Sequence, residues 1–262
     1  MTTPETLRAD DETLDTFFHG RIRVLQKKKG YRFSVDAPLL ADFVRTRAGD
    51  EALDLGTGSG IISLLLSVKP FRRIVALEIQ AGLADLARRN VELNGLGDKI
   101  EVVQADLRAF EPSRRFDLIF SNPPYIRKAT GFLSRSEEKS AAKHELHGDI
   151  TDILKKTAEW LEPDGRACFI YPEKRRVDFA RAADRHGFRI LRFRQVLPRQ
   201  GEPPNLFLAE LGFAGGQGTA AGDITAVAAA GGSVPEVMPP LVLFGPDGKY
   251  TAEAEVVFSG RL

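Results

Sequence analysis

Two short stretches carry residue types that can do chemistry. In the first, Asp117-Leu118-Ile119-Phe120-Ser121 runs straight into Asn122, Pro123, Pro124 and Tyr125. Asn122 offers a neutral amide with an acceptor oxygen. The prolines donate no N–H and fix φ, so they make a stiff turn with bare carbonyls. Tyr125 adds a flat, semi-rigid face suited to stacking. The second stretch is Asp54-Leu55-Gly56-Thr57-Gly58-Ser59-Gly60. Its glycines let the backbone approach a ligand closely. The spacing G-x-G-x-G is not the dinucleotide pattern G-x-G-x-x-G, and the loop lacks the Gly-Lys-Ser/Thr end of a triphosphate-binding loop.

Three acids accompany these stretches. Asp54 opens the glycine loop, Glu78 ends the next apolar run and Asp106 ends the one after that. Any one of them alone reads as a helix cap or turn residue. Together they fall at successive strand ends and share one crevice at the C-terminal edge of a sheet. There Glu78 can take both ribose hydroxyls of an adenosine-containing cofactor. Asp106 can accept from an adenine amino group, and Asp54 lies near an amine-bearing end.

The elements that must position these groups alternate in type. Strands are expected over 51–56, 73–79, 99–105, 116–122 and 166–172, with helices over 59–68, 81–95, 148–165 and 175–187. The third of these helices is capped by Asp149 or Thr151 and ended by the Pro163–Gly165 turn. Residues 188–197 and 205–213 read as final strands, antiparallel to each other. This order predicts an α/β protein with a mostly parallel sheet and helices on both faces. Residues 21–34 read as a basic hairpin and 37–45 as a helix. Residues 214–238, rich in Gly and Ala, read as a linker or loop. Residues 241–258 read as a hairpin around Pro246-Asp247-Gly248.

Composition sets outer limits. Of 262 residues, 43% are hydrophobic and 28% charged, which suits a globular chain rather than a disordered one. Net charge is +1, so overall charge selects no partner. Locally, Arg21, Arg23, Lys27, Lys28 and Lys29 cluster without an acid among them, and Arg127 and Lys128 follow Tyr125. Such groups attract phosphates, or simply form a solvated face. The single cysteine, Cys168, sits in the apolar run ACFIY and reads as core. His144 and His147 form no metal-ligand pattern with neighbouring residues. No apolar leader or membrane span is visible, so a cytoplasmic protein with no membrane partner is expected.

The set DLGTGSG, Glu78, Asp106 and NPPY resembles the class I S-adenosylmethionine-dependent methyltransferases, in particular the branch that methylates amino groups. The resemblance covers roughly residues 20–213. It implies a Rossmann-like fold whose seven-stranded, mostly parallel sheet has its last strand antiparallel, preceded by a short hairpin and helix extension. It divides the chain into an extension (1–48), a methyltransferase domain (49–213), the linker (214–238) and a C-terminal hairpin (239–262). It implies S-adenosylmethionine as cofactor, held by Asp36, Asp54, Gly56, Gly58, Gly60, Glu78, Asp106 and Asn122, with no metal. It also implies that Asn122 and the Pro123 carbonyl hold the reacting NH2 while Tyr125 stacks on its base.

NPPY names the atom type that is methylated, not the molecule. In the resembled families it serves adenine in DNA, adenine or guanine in RNA, and the glutamine amide of release factors. The stretch 25–44, LQKKKGYRFSVDAPLLADFV, resembles bacterial tRNA adenine methyltransferases acting at position 37, next to the anticodon. KHELHGD (143–149) and the terminal GKYTAEAE are similar to segments of the same family. The expected partner is therefore tRNA through its anticodon stem-loop, contacted by Arg21, Arg23, Lys27, Lys28, Lys29, Tyr31, Arg127 and Lys128. Asp36 either closes the cofactor site or caps the helix that follows, and Phe33 reads as core. An rRNA or release-factor methyltransferase is the alternative enzyme reading. A non-catalytic RNA-binding protein is the alternative outside enzymes. Monomer and homodimer are equally compatible with the sequence.

Overall fold

The structure is a computed structural model that describes residues 7–29, 34–123, 150–214 and 234–260. Its centre is a sheet in the order β5-β4-β3-β6-β7-β9-β8-β10, with β11 also on β8. The strands are β3 (Glu51–Leu55), β4 (Arg73–Glu78), β5 (Ile100–Gln104), β6 (Phe116–Ser121), β7 (Leu161–Pro172), β8 (Phe188–Arg199), β9 (Leu206–Phe213), β10 (Glu236–Val237) and β11 (Leu241–Phe244). β3 through β7 run parallel. β9 is antiparallel to both β7 and β8. The expected seven strands with an antiparallel last member are present. Two short strands, β10 and β11, extend the sheet parallel to β8.

The central strands β3, β4, β6 and β7 are largely apolar on both faces because helices cover both. Ala52, Leu118, Phe120 and Cys168 face one layer, built on α1 (Asp36–Phe43), α2 (Ile61–Leu66) and α6 (Ala252–Ser259). Leu53, Ile119, Ala167 and Phe169 face the other, built on α4 (Ile150–Trp160) and α5 (Arg176–Arg185). α3 (Ala81–Leu93) buries Ala84, Ala87 and Val91 at helical spacing. It ends at Gly95, whose φ of 64° only glycine adopts freely.

Four expectations need correction. The N-terminal hairpin is not within 21–34. It pairs β1 (Glu12–Phe17) with β2 (Ile22–Lys27), turning at Phe18–Arg21. The segment before that turn, with Asp10, Asp11, Glu12 and Asp15, thus supplies the first strand, and Asp11 and Glu12 meet Lys27 of the second. The hairpin expected over 241–258 is replaced by β11 and α6. Thr251 fixes the helix start by accepting from Ala254 N–H, and Ala254 and Val257 bury one side. α4 stops at Trp160, because Leu161 already pairs with Phe116. Residues 162–165 then bulge before Arg166 joins Leu118. α1 begins at Asp36 with Val35 at the cap position and no side-chain cap, so Asp36 is not the N-cap.

Candidate active site

The register brings the two chemical stretches level. Asp54 pairs with Phe120 and Leu55 with Leu77. Ser121 Oγ donates to Leu55 O at 2.7 Å. Gly56, Glu78 and Asn122 each follow directly on Leu55, Leu77 and Ser121 at this edge. Gly56 and Thr57 N–H both donate to Leu77 O at 2.9 Å, which closes the loop against β4. Gly56, Gly58 and Gly60 all have positive φ, of 73°, 60° and 84°. A side chain at any of the three strains the turn.

Asp54 is fully buried. Its Oδ2 accepts from Thr57 Oγ1 at 2.6 Å and Ser63 Oγ at 2.7 Å. Burial pushes its carboxyl up to about 6 against those hydrogen bonds, with the nearby Glu78 charge adding to the rise. Its Oδ1 and the buried Ser59 hydroxyl have no hydrogen-bond partner among the described residues. A buried acceptor left over in a glycine loop fits an amine-bearing ligand.

Glu78 is buried as well. Its Oε2 accepts from Gly58 N–H at 2.9 Å and its Oε1 from Gln80 N–H at 2.8 Å, so it braces the loop it faces. Asp106 follows β5 and accepts from Arg108 N–H and Nε at 2.9 and 3.0 Å. Asn122 is half-buried and Pro123 buried at the end of β6. Asp36 is buried at the start of α1. Tyr31, Phe33, Tyr125, Arg127, Lys128, His144, His147 and Asp149 lie outside the described residues.

Comparisons with known proteins identify the family. The model for "Methyltransferase small domain" matches residues 32–179. The chain belongs to that family. It is 31% identical over 183 residues to tRNA1(Val) (adenine(37)-N6)-methyltransferase of Vibrio cholerae, covering 70% of this chain and 75% of that one. The Yersinia pestis protein of the same name is 31% identical over 211 residues, covering 78% and 82%. The fold matches a predicted O-methyltransferase from Agrobacterium tumefaciens with TM-score 0.60 at 20% identity, over 85% of this chain and 94% of that one. TYW2 of M. jannaschii in complex with AdoMet matches with TM-score 0.53 at 16% identity, over 79% and 88%. The protein is an S-adenosylmethionine-dependent N-methyltransferase, and the acceptor Oδ1 of Asp54 suits the amine of that cofactor.

The basic residues of this methyltransferase divide into two groups. Arg21, Lys28 and Lys29 are exposed. Arg23 instead turns inward and donates to Leu93 O at 2.7 Å, at the end of α3. Lys27 sits between Asp11 and Glu12 at 3.1 and 2.9 Å. Lys28 donates to Asp10 O at 2.7 Å.

Sequence reasoning passed over the residues that hold these groups in place. Thr57 and Ser63 orient Asp54, Arg89 pins Glu12, and Asn90 and Asn94 grip β2. A signal existed in NVELN. Two amides one turn apart on the buried side of an amphipathic helix need partners.

A cavity of about 470 Å³ opens between the C-terminal ends of α1 and α2, β8 and α6. Among the described residues no helix is long and apolar enough to cross a membrane, and no three His, Cys, Asp or Glu group as metal ligands.

Proposed function

We propose that this enzyme methylates the exocyclic N6 amino group of an adenine in tRNA, at position 37 beside the anticodon. The observation that supports the reading is the register across β3 and β6, which pairs Asp54 with Phe120, two residues before Gly56 and Asn122 respectively. The cofactor loop and the amine-holding turn are then neighbours. Relatives of the same length class, named for that tRNA reaction, support the choice of base.

When bound, the cofactor supplies a methyl group on a positively charged sulfur. The residues around it are assigned as follows. Asp54 Oδ1 takes the amine, Glu78 the ribose and Asp106 the adenine edge, with Asp36 covering the site. Gly56, Gly58 and Gly60 allow close backbone approach. Asn122 Oδ1 and the Pro123 carbonyl each accept one hydrogen of the target NH2, which leaves its lone pair directed at the methyl group. No base is needed beforehand, because the methylated nitrogen would be cationic and acidic enough to give its proton to solvent water. Orientation carries most of the rate gain.

Tyr125 stacks on the extruded base, and an anticodon-loop base is already single-stranded. Arg21, Lys28 and Lys29, with Tyr31, Arg127 and Lys128, contact the RNA. Arg23 and Lys27 act mainly as internal anchors for the hairpin. That follows from their bonds to Leu93 O and to Asp11 and Glu12.

The deciding experiment offers labelled S-adenosylmethionine with separate pools of tRNA, rRNA and release factor. Label is expected as N6-methyladenosine at position 37 of a tRNA. Label confined to rRNA, or to a release-factor glutamine, overturns the substrate.

A further inference from the structure

Asn90 and Asn94 lie one turn apart on α3 and both reach β2. Asn94 Oδ1 accepts from Arg23 N–H at 2.9 Å, and its Nδ2 donates to Arg23 O at 2.7 Å. Asn90 Oδ1 accepts from Leu25 N–H at 2.7 Å, and its Nδ2 donates to Leu25 O at 3.1 Å. Alternate residues of a strand present their N–H and C=O to the same edge. The two side chains therefore stand in for a neighbouring strand, and the hairpin is mounted on α3 rather than left as a free arm.

Asn90 does one thing more. Its Nδ2 also donates to Ser59 O at 2.9 Å, inside the glycine loop. Ser59 lies between Gly58, whose N–H is held by Glu78, and Gly60, which packs on Ala87 of α3. Asn90 is fully buried, so no water competes for these bonds. One amide thus joins the cofactor loop to the strand that carries the basic residues.

We propose that Asn90 is a positioning residue coupling the glycine loop to the β1–β2 hairpin, so that cofactor occupancy sets the order of the hairpin. Its meaning for substrate binding rests on the hairpin being an RNA contact, as proposed above. By linkage, a hairpin ordered by RNA in turn favours cofactor binding by the same factor.

The test is hydrogen exchange on the full chain with and without S-adenosylmethionine, read at Val24 and Gln26, whose amides do not bond Asn90. In the wild type, saturating cofactor is expected to slow exchange there about 5-fold or more, the scale of ordinary site coupling. In Asn90→Ala the cofactor still binds but the slowing is lost. In Asn94→Ala exchange is faster in both states while the cofactor-dependent ratio persists. If Asn90→Ala does not fold, Asn90→Ser, too short to span both partners, carries the same expectation.

No slowing in the wild type, or equal slowing in the Asn90 variant, overturns the coupling. A merely structural Asn90 lowers thermal stability but leaves the ratio intact. A separate arm compares tRNA affinity after Lys28→Glu and Lys29→Glu. Unchanged affinity there removes the hairpin from the RNA path, while a positive exchange result keeps Asn90 as the link between loop and hairpin.

Discussion

Asp54 is a carboxylate sealed from water, and its protonation should be visible in cofactor binding. Its pKa is raised from 3.8 to about 6, mainly by burial. The folded state therefore holds that proton more tightly than the unfolded chain, so stability falls as pH rises through about 4 to 6. A bound ammonium favours the ionised form and offsets that loss. Cofactor affinity measured by calorimetry should rise roughly 10-fold between about pH 5 and pH 7, following the ionised fraction of a group with a pKa near 6. Asp54→Asn should bind more weakly and show a flat profile across that range. At Asn122 the expectation is different. Asn122→Ala should retain cofactor affinity and lose about 100-fold or more in kcat, because positioning of the amine is removed and the loop is not. A fall in affinity with unchanged kcat at saturation would move Asn122 out of the reacting centre. Both residues were legible in the sequence because their chemistry is tied to loop composition. The hydroxyls of Thr57 and Ser63 were not, since either reads equally well as an ordinary helix-entry residue.

Among the elements, the β1–β2 hairpin is where charge decides attachment. Glu12 is almost fully buried, and Arg89 of α3 bonds both its oxygens at 2.7 and 2.8 Å. Hydrogen bonds from Arg89 hold its carboxyl down to about 2. A depressed acid contributes its stability above the unfolded value near 4.5, and that contribution is lost as pH falls towards 2. A shift of this size is worth on the order of 3 kcal/mol. Urea unfolding at about pH 5 and pH 3 should show much of that loss. Arg89→Ala should cost up to about 3 kcal/mol near neutral pH, because it removes the main partner of a buried carboxylate and leaves only Lys27 and the Ala9 N–H to hold it, and should weaken the acid dependence. The same pair explains a misplaced hairpin. β1, ETLDTF, carries no strand signal in its sequence, because its buried position is a glutamate rather than an apolar residue. Strands β3, β4, β6 and β7 were legible since both their faces are largely apolar. α6 was hidden for the opposite reason. The alternation in Ala252-Glu253-Ala254-Glu255 has strand period, and only the Thr251 cap and the packing of Val257 settle it as helix.

At the scale of the molecule, buried arginines tie the flanking segments to the sheet, and no local pattern announces them. Arg166 of β7 pairs with Asp50 at 2.7 Å and donates to Arg45 O at 2.9 Å. Arg194 of β8 donates to Pro239 O at 3.0 Å and also pairs with Glu253 of α6. Arg192 is the most enclosed of the three. It meets Glu210 at 2.6 Å, donates to Phe43 O at 2.7 Å and lies over the Phe43 ring at 3.9 Å. Cys168 stands beside Glu210, and burial pushes its thiol up, so it stays protonated and inert. These contacts join residues far apart in the chain, which is why composition and periodicity give no warning of them. Glu210→Leu should leave the Arg192 charge buried without its carboxylate and cost about 3–5 kcal/mol in denaturant unfolding. Removing both charges, with Arg192→Met and Glu210→Leu together, should recover most of that. It should not recover all of it, because Phe43 O at the end of α1 loses its donor, which costs about 1–3 kcal/mol. A double variant as stable as the wild type would mean that the Phe43 carbonyl finds another partner, and that Arg192 does not hold α1 against the sheet.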